Sequence, residues 1–277
     1  MSSPLPLNPP LIIAIAKDKY LTPKYPFKDN LHIPAATPPL YGQDITFGCR
    51  ARSPRGHNVG NTPQELKPKM LQLLDIFAKG ERTGMARRLF MEFLREDRRE
   101  VRYFDDERLN TAVDSHPNIN YFCSAILSAP NSPYKSPNHH RIHQSLKNAD
   151  WDIHRITMPA DIGVPALNIG STLFSTKDYH NGLGLMINGI QYAYVIATHY
   201  SHDSKESKYN LSLKFLFYDV FGLDDDDLIE YGAMSDGLMS APSGVGITAW
   251  WQLQHQFAYA PLVTRVVVKR TYEIPAL

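Results

Sequence analysis

Apolar residues recur every three to four positions through Leu66, Met70, Leu73, Leu74 and Phe77, and this spacing predicts a helix. Thr62-Pro63-Gln64-Glu65 supplies its start, with an N-cap, a proline at the first helical position and Glu three residues after the cap; Gly80 supplies its stop. Met85, Leu89, Phe90, Phe93 and Leu94 form the apolar face of a second helix. A third helical stretch runs over 106–113, followed by Ser115-His116-Pro117 and then 118–127. Residues 128–136 read as a loop, and 139–149 as a short helix. From Gly184 onward β-formers dominate. Residues 184–200, 209–218 and 261–272 read as strands, with 202–208 as a hairpin loop. Residues 224–231 and 248–256 read as helices between strands, and Ser243-Gly244-Val245-Gly246 as a flexible turn.

The pattern therefore predicts an α+β fold with an antiparallel sheet: a helical half over about 62–150 and a β-rich half over about 151–277, in one domain. The first 61 residues read differently. Eleven of the 21 prolines fall within residues 1–63. Proline fixes φ and removes a backbone donor, which argues against long helix or central strand here. The expected form is an extended segment laid over the rest of the chain. Burial is what its large side chains favour: Leu11, Ile12, Ile13, Ile15, Tyr20, Tyr25, Phe27, Leu40, Tyr41 and Phe47.

Composition narrows the function classes. The 277 residues carry 29 Lys plus Arg against 28 Asp plus Glu, a net charge of +1. No global basic field exists to drive nucleic-acid binding. The arginines of the second helix, Arg82, Arg87, Arg88, Arg95, Arg98, Arg99 and Arg102, alternate with Glu92, Glu96, Asp97 and Glu100. They read as a solvated face, with contact to anionic lipid or phosphate as the sharper reading. Two cysteines, Cys49 and Cys123, exclude a disulfide scaffold and a Cys-built metal site, and leave their pairing open. The apolar run 11–16 is too short to span a membrane and follows prolines where a signal peptide has basic residues, so synthesis in the cytoplasm is expected.

Candidate chemistry centres on carboxylates and histidines. Asp224-Asp225-Asp226-Asp227 either caps a helix and sits against its positive end, or offers oxygen ligands to a divalent cation. Tyr218-Asp219 ends a strand, a place from which a general base or metal ligand is commonly displayed. Alternation through Leu211, Leu213, Phe215 and Phe217 aims Asp219 at the apolar face if the strand continues. A turn that swings it out to backbone amides is the other outcome. His139 and His143 stand at i, i+4 but lack a following Glu; His140 lies beside them. His199 and His202 flank the expected hairpin loop, and His255 shares its helix with Trp250 and Trp251. Serine-hydrolase, Walker and dinucleotide-binding motifs are absent.

The order Asp106-Glu107-Arg108-Leu109-Asn110-Thr111-Ala112-Val113-Asp114-Ser115-His116-Pro117, then Asn181-Gly182-Leu183-Gly184-Leu185, Tyr218-Asp219-Val220-Phe221-Gly222-Leu223-Asp224, Trp251-Gln252-Leu253-Gln254-His255 and Tyr259-Ala260-Pro261-Leu262, resembles a family of bacterial domains associated with type VI secretion. The resemblance covers roughly residues 64–274. It implies an antibacterial effector, cytoplasmic in its producer and delivered into the target cell, where the periplasm is the expected place of action. The partners it implies are a cognate immunity protein and a component of the secretion apparatus. A second likeness is local. Tyr218-Asp219 resembles part of the active-site region of colicin M, which hydrolyses a lipid-linked peptidoglycan precursor with Mg²⁺. An Asp two residues before the Tyr and a following His-Arg belong to that pattern; here Leu216 replaces the Asp and no His-Arg follows. This likeness implies Tyr218 and Asp219 as catalytic residues, with His199, His202 or His255 supplying the missing histidine and His255 taken as the candidate; with the acidic run, Asp219, Asp224 and Asp225 are the candidate ligands of Mg²⁺. The substrate it implies is a phosphoester or pyrophosphate on a lipid carrier at the membrane surface. The alternative is a non-enzymatic binding or delivery protein of the secretion apparatus, with the Pro-rich segment and the aromatic helix as its interface.

Overall fold

A computed structural model describes residues 4–17, 25–26, 40–41, 43–56, 60–97, 99–127, 140–165, 167, 180–233 and 241–276. Its strands are β1 (Leu5–Lys17), β2 (Tyr25–Pro26), β3 (Leu40–Tyr41), β4 (Arg102–Phe104), β5 (Ala160–Ile162), β6 (Tyr192–Asp203), β7 (Lys208–Phe221) and β8 (Leu262–Pro275). Its α-helices are α1 (Pro63–Phe77), α2 (Thr83–Phe93), α3 (Glu107–Asp114), α4 (Pro117–Ala125), α5 (Arg141–Asn148), α6 (Leu183–Met186), α7 (Asp225–Tyr231) and α8 (Pro242–Gln256). A 3₁₀ turn covers Gln43–Ile45. The fold is α+β, with helices mostly in the first half and strands mostly in the second.

Six strands form one sheet in the order β4-β8-β7-β6-β1-β5. Its four inner strands pair antiparallel, and each outer strand pairs parallel with its neighbour. Alternation along β7 decides the two faces. Leu211, Leu213, Phe215, Phe217 and Phe221 join the main core under the helices. Leu216, Tyr218 and Val220 join a second cluster on the other face, with Tyr192, Tyr194, Ile196, Val263 and Ile45.

The helices follow their sequence signals. At the start of α1 the Thr62 N–H donates to Glu65 Oε2 at 2.7 Å, completing the capping box. Leu66, Met70, Leu73, Leu74 and Phe77 are its buried residues. α1 packs on α8 closely enough that a Cβ at Gly246 would sit 2.6 Å from Leu73 Cγ. Residues 243–246 are thus the first turn of α8 and not a flexible turn; Pro242 opens the helix, and the glycines permit the approach. α8 is buried on nearly every side, so Trp250 and Trp251 are core and not interface.

Two further expectations change. The strand expected over 184–200 starts at Tyr192; before it, the Asn181 side chain accepts the Leu183 N–H at 3.0 Å and opens α6. Within the N-terminal segment, residues 5–17 are not laid over the surface: they form β1, an inner strand between β6 and β5. Prolines fit because β5 covers only residues 14–16 of β1, so among the described residues no strand pairs with the proline-bearing part on that side. Its register against β6 also shifts between Pro6 and Leu11. Ile13, Ala14 and Ala16 are buried. The side chains of Tyr20, Tyr25, Phe27, Leu40 and Tyr41, the expected loop at 128–136 and His139 lie outside the described residues.

Candidate functional site

β7 runs unbroken through Asp219, which pairs with Thr264 of β8. Asp219 therefore keeps the parity of Phe217 and Phe221, points to the main core face and is buried. It is anchored there: the Asn188 N–H donates to Asp219 Oδ2 at 2.8 Å. The strand continues, so the inward outcome holds and the outward turn does not form; the bond to a backbone amide is nevertheless made, from the inward-facing carboxyl. Burial pushes its pKa well above the ordinary carboxyl range; the Asn188 amide pulls it back, and the nearby Asp44 charge pushes it further.

Asp44 is the residue that sequence reasoning missed. It sits in the turn Gln43–Ile45, which crosses the end of β7 where β6 begins. The Gln191 side-chain amide donates to Asp44 Oδ2, while the Gln191 N–H donates to the Tyr218 carbonyl at 2.9 Å. Burial raises Asp44 to about 7, and Asp227 and Asp224 add repulsion. Among the described residues, Asp44 Oδ1, Gln191 Oε1 and Thr264 Oγ1 are buried without a hydrogen-bond partner. The end of the sheet thus carries two carboxyls in electrostatic reach of each other, in surroundings that favour their protonated forms.

The turn is fastened by Gln254 of α8. Its side-chain amide donates to the carbonyls of Asp44 and Thr46, both at 2.7 Å, and of Leu223 at 3.1 Å. Its Oε1 accepts the Leu223 N–H at 2.9 Å. Beyond Leu223 the acidic run takes its structural role. Asp224 Oδ1 accepts the Asp227 N–H at 2.9 Å, and Asp227 Oδ2 accepts the Asp224 N–H at 3.0 Å. Burial pushes Asp227 up to about 6. Asp225 pairs with Arg50 at 2.7 Å and accepts the Trp251 indole N–H at 3.2 Å.

The three expected catalytic residues do not converge. Tyr218 is fully buried on the opposite face from Asp219, with its ring 6.1 Å from those of Tyr194 and Tyr103. Adjacent strand residues point to opposite faces, so the pair cannot act from one surface. His255 is buried in α8, its Nε2 2.7 Å from the Leu223 carbonyl, and burial lowers its pKa. The charges that act on it are those of Arg50, Asp225 and Asp224. The expected Mg²⁺ ligands are likewise divided: Asp219 is tied to Asn188, Asp224 caps α7, and Asp225 faces Arg50 and Trp251. Among the described residues no three His, Cys, Asp or Glu side chains converge as a metal-holding group. These three carboxylates do not fit one Mg²⁺ ion.

The remaining candidates resolve individually. His143 is a core histidine, its Nδ1 3.0 Å from the Tyr209 hydroxyl. His199 and His202 belong to β6 instead of a loop, and the His202 ring stacks on Trp151. Cys123 is buried and Cys49 exposed, and both are free thiols. The arginine face is laced with local ion pairs, Arg88 with Asp106, Arg95 with Glu92 and Asp97, and Arg102 with Glu100. Among the described residues no helix is long and apolar enough to cross a membrane.

Comparison with known proteins adds no relative: no family model, no curated protein and no solved structure matches this chain.

Proposed function

We propose that this protein is an antibacterial effector toxin, delivered by type VI secretion from the cytoplasm of its producer to the periplasm of a target cell. There it acts as a hydrolase of a phosphoester or pyrophosphate on a lipid-linked envelope precursor. The producer is protected by an immunity protein, and a component of the secretion apparatus carries the toxin. The residue order that resembles type VI-associated domains supplies the setting. One observation supports the chemistry: Asp44 and Asp219 lie in electrostatic reach of each other at the end of the sheet, with pKa values raised by burial, Asp44 to about 7. A carboxyl poised near neutrality can both give and take a proton at physiological pH, which is what general acid–base hydrolysis requires. Asp219 keeps its expected role and Asp44 replaces Tyr218 and His255 beside it. No step is assigned to Mg²⁺.

A second reading is favoured by the Asn188 amide bonded to Asp219 Oδ2. That bond suits a carboxyl that braces the sheet end of a non-enzymatic delivery or binding protein.

The test is expression in a susceptible bacterium, with and without a periplasmic leader. Wild type is expected to inhibit growth only when exported, and Asp44→Asn and Asp219→Asn are expected to fold and spare the cells. Harmlessness in both compartments sinks the toxin reading. Undiminished toxicity of both folded variants sinks the acid–base reading and favours a brace.

A further inference from the structure

Asp44 and Gln191 are joined by one hydrogen bond and leave two matching oxygens unused. The Gln191 side-chain amide donates to Asp44 Oδ2. Among the described residues, the second carboxyl oxygen, Asp44 Oδ1, and the carboxamide oxygen, Gln191 Oε1, are buried without a partner. A carboxylate and an amide carbonyl only accept, so with Asp44 ionised neither oxygen can satisfy the other. A buried acceptor left unpaired costs free energy, and here there are two on one joined pair. A carboxylic acid differs by one proton. Placed on Oδ1, that proton has Gln191 Oε1 as its acceptor. The two groups then close a ring of two hydrogen bonds, Nε2–H to Oδ2 and Oδ1–H to Oε1. The existing bond is one side of this ring, and the two orphaned oxygens are what its other side needs.

The surroundings favour the proton. The charged groups that act on Asp44 are Asp227 and Asp224 from α7 and Asp219 from β7, all of them carboxyls. α8 meets the turn through the neutral Gln254, and the start of β6 meets it through the neutral Gln191. Burial adds to the repulsion, and the Asp44 carboxyl is raised to about 7.

We infer that Asp44 and Gln191 form a proton-dependent clasp, in which Asp44 Oδ1–H donates to Gln191 Oε1 and ties the turn Gln43–Ile45 to the start of β6. Ionising Asp44 removes that bond and leaves two acceptors with no proton between them. The turn then keeps the Gln191 Nε2–H bond, the Gln254 bonds to its carbonyls and the burial of Ile45 in the second cluster. The sheet end is therefore covered more tightly in acid than above neutrality. This goes beyond the hydrolase reading and does not depend on it, since Gln191 acts by holding a proton and a turn.

The experiment measures how strongly the two side chains couple in the full chain. A double-mutant cycle of Asp44→Ala and Gln191→Met is followed by urea unfolding at about pH 5 and about pH 8, on either side of the Asp44 titration. The alternatives run in opposite directions. A Gln191 that only donates binds a charged oxygen more strongly than a neutral one, so its coupling rises with pH. A shared proton makes the coupling fall. The expected coupling is about tenfold or more in the unfolding constant at the acid pH, and several-fold smaller at the alkaline one. A coupling that is unchanged or larger at the alkaline pH overturns the clasp. Should a variant of the cycle fail to fold, infrared difference spectra of wild type against Asp44→Asn carry the test, because Asn can close the same ring with its amide. Wild type is expected to show, in acid, a protonated carboxyl C=O band that Asp44→Asn lacks, at the lowered frequency of an acid hydrogen-bonded at both oxygens. The band should vanish as pH rises through about 7. Its absence, or a frequency typical of a carboxyl O–H without an acceptor, overturns the inference. So does a thermal midpoint that magnesium or calcium chloride raises beyond sodium chloride in wild type and not in Asp44→Asn, because the orphaned oxygens would then serve a cation. None of these readouts is toxicity, so failure of the clasp leaves the hydrolase reading to its own test.

Discussion

A Cβ placed on Gly222 would lie 2.2 Å from the Asp44 carbonyl oxygen and 3.0 Å from the Pro261 side chain. The two segments touch backbone to backbone, and this contact seats the turn that carries Asp44 over the end of β7. Gly222→Ala is therefore expected to force the turn outward. Overpacking of this kind costs about 2 kcal/mol. Urea titration of wild type and variant measures it, and an unchanged midpoint would show that the turn is not seated on Gly222.

Asp219→Asn and Asp219→Ala should behave differently. Asn keeps an oxygen for the Asn188 N–H and resembles the protonated carboxyl that burial favours, so stability is expected to stay within about 1 kcal/mol of wild type. Ala leaves that buried amide unpaired, a loss of about 1–3 kcal/mol. Equal losses in the two variants would show that the amide bond is not what anchors the residue.

Stability should fall from acid toward neutral pH because of Asp44. Its folded pKa of about 7 lies above the ordinary carboxyl value. The folded chain then binds more protons than the unfolded one between about pH 4 and pH 7. The contribution of Asp44 is complete below that window and lost as pH rises through it. Asp227, raised to about 6, acts in the same direction. His255, lowered by burial, acts oppositely as pH falls. The informative quantity is consequently the difference between wild type and Asp44→Asn. Thermal midpoints across this window should decline less in the variant, and an equal decline would remove Asp44 as the source.

Local signals were legible in the sequence and long-range ones were not. Thr62 and Glu65 announce α1 because a capping box closes within four residues. The parity of β7 placed Asp219 on the core face because alternation is a property of one strand. β1 was hidden because its prolines read as a barrier, whereas their cost depends on β5 being short and on the register shift opposite β6. Asp44 and Gln191 carry no motif at all. Their meaning arises only when the fold brings the turn Gln43–Ile45 to the start of β6. Asp224 was readable as a cap, but nothing near it in the chain indicated that Asp225 would face Arg50.

Asp224→Ala should cost about 1 kcal/mol through loss of the α7 cap, while Asp224→Asn retains an acceptor for the Asp227 N–H and most of the stability. A metal ligand would respond otherwise, since Asn would weaken cation binding and the chelator EDTA would lower the midpoint of wild type. The expected outcome is no change with EDTA. A drop would return Asp224 to the role of ligand.

Gln254 offers the most demanding test of the sheet-end architecture. It is fully buried and its amide reaches three carbonyls from two separate segments, while its oxygen holds the Leu223 N–H. Gln254→Leu preserves much of the volume and removes every one of these bonds. The Asp44 carbonyl and the Leu223 amide would then compete for solvent that burial denies them, while the Leu223 carbonyl keeps its bond to His255 Nε2. Each orphaned group costs on the order of 1 kcal/mol or more, so a loss of at least about 2 kcal/mol is expected. Gln254→Glu separates the bonds from the shape. It keeps an acceptor for Leu223 but turns a negative oxygen toward the Asp44 and Thr46 carbonyls, close to a carboxyl already displaced by its acidic neighbours. Its stability should therefore recover as pH falls and the new carboxyl takes up a proton that it can donate to those carbonyls. Denaturation of Gln254→Glu at neutral and acid pH, each relative to wild type, reads this recovery. A deficit that is the same at both would mean that Gln254 fills space at the sheet end without fastening it.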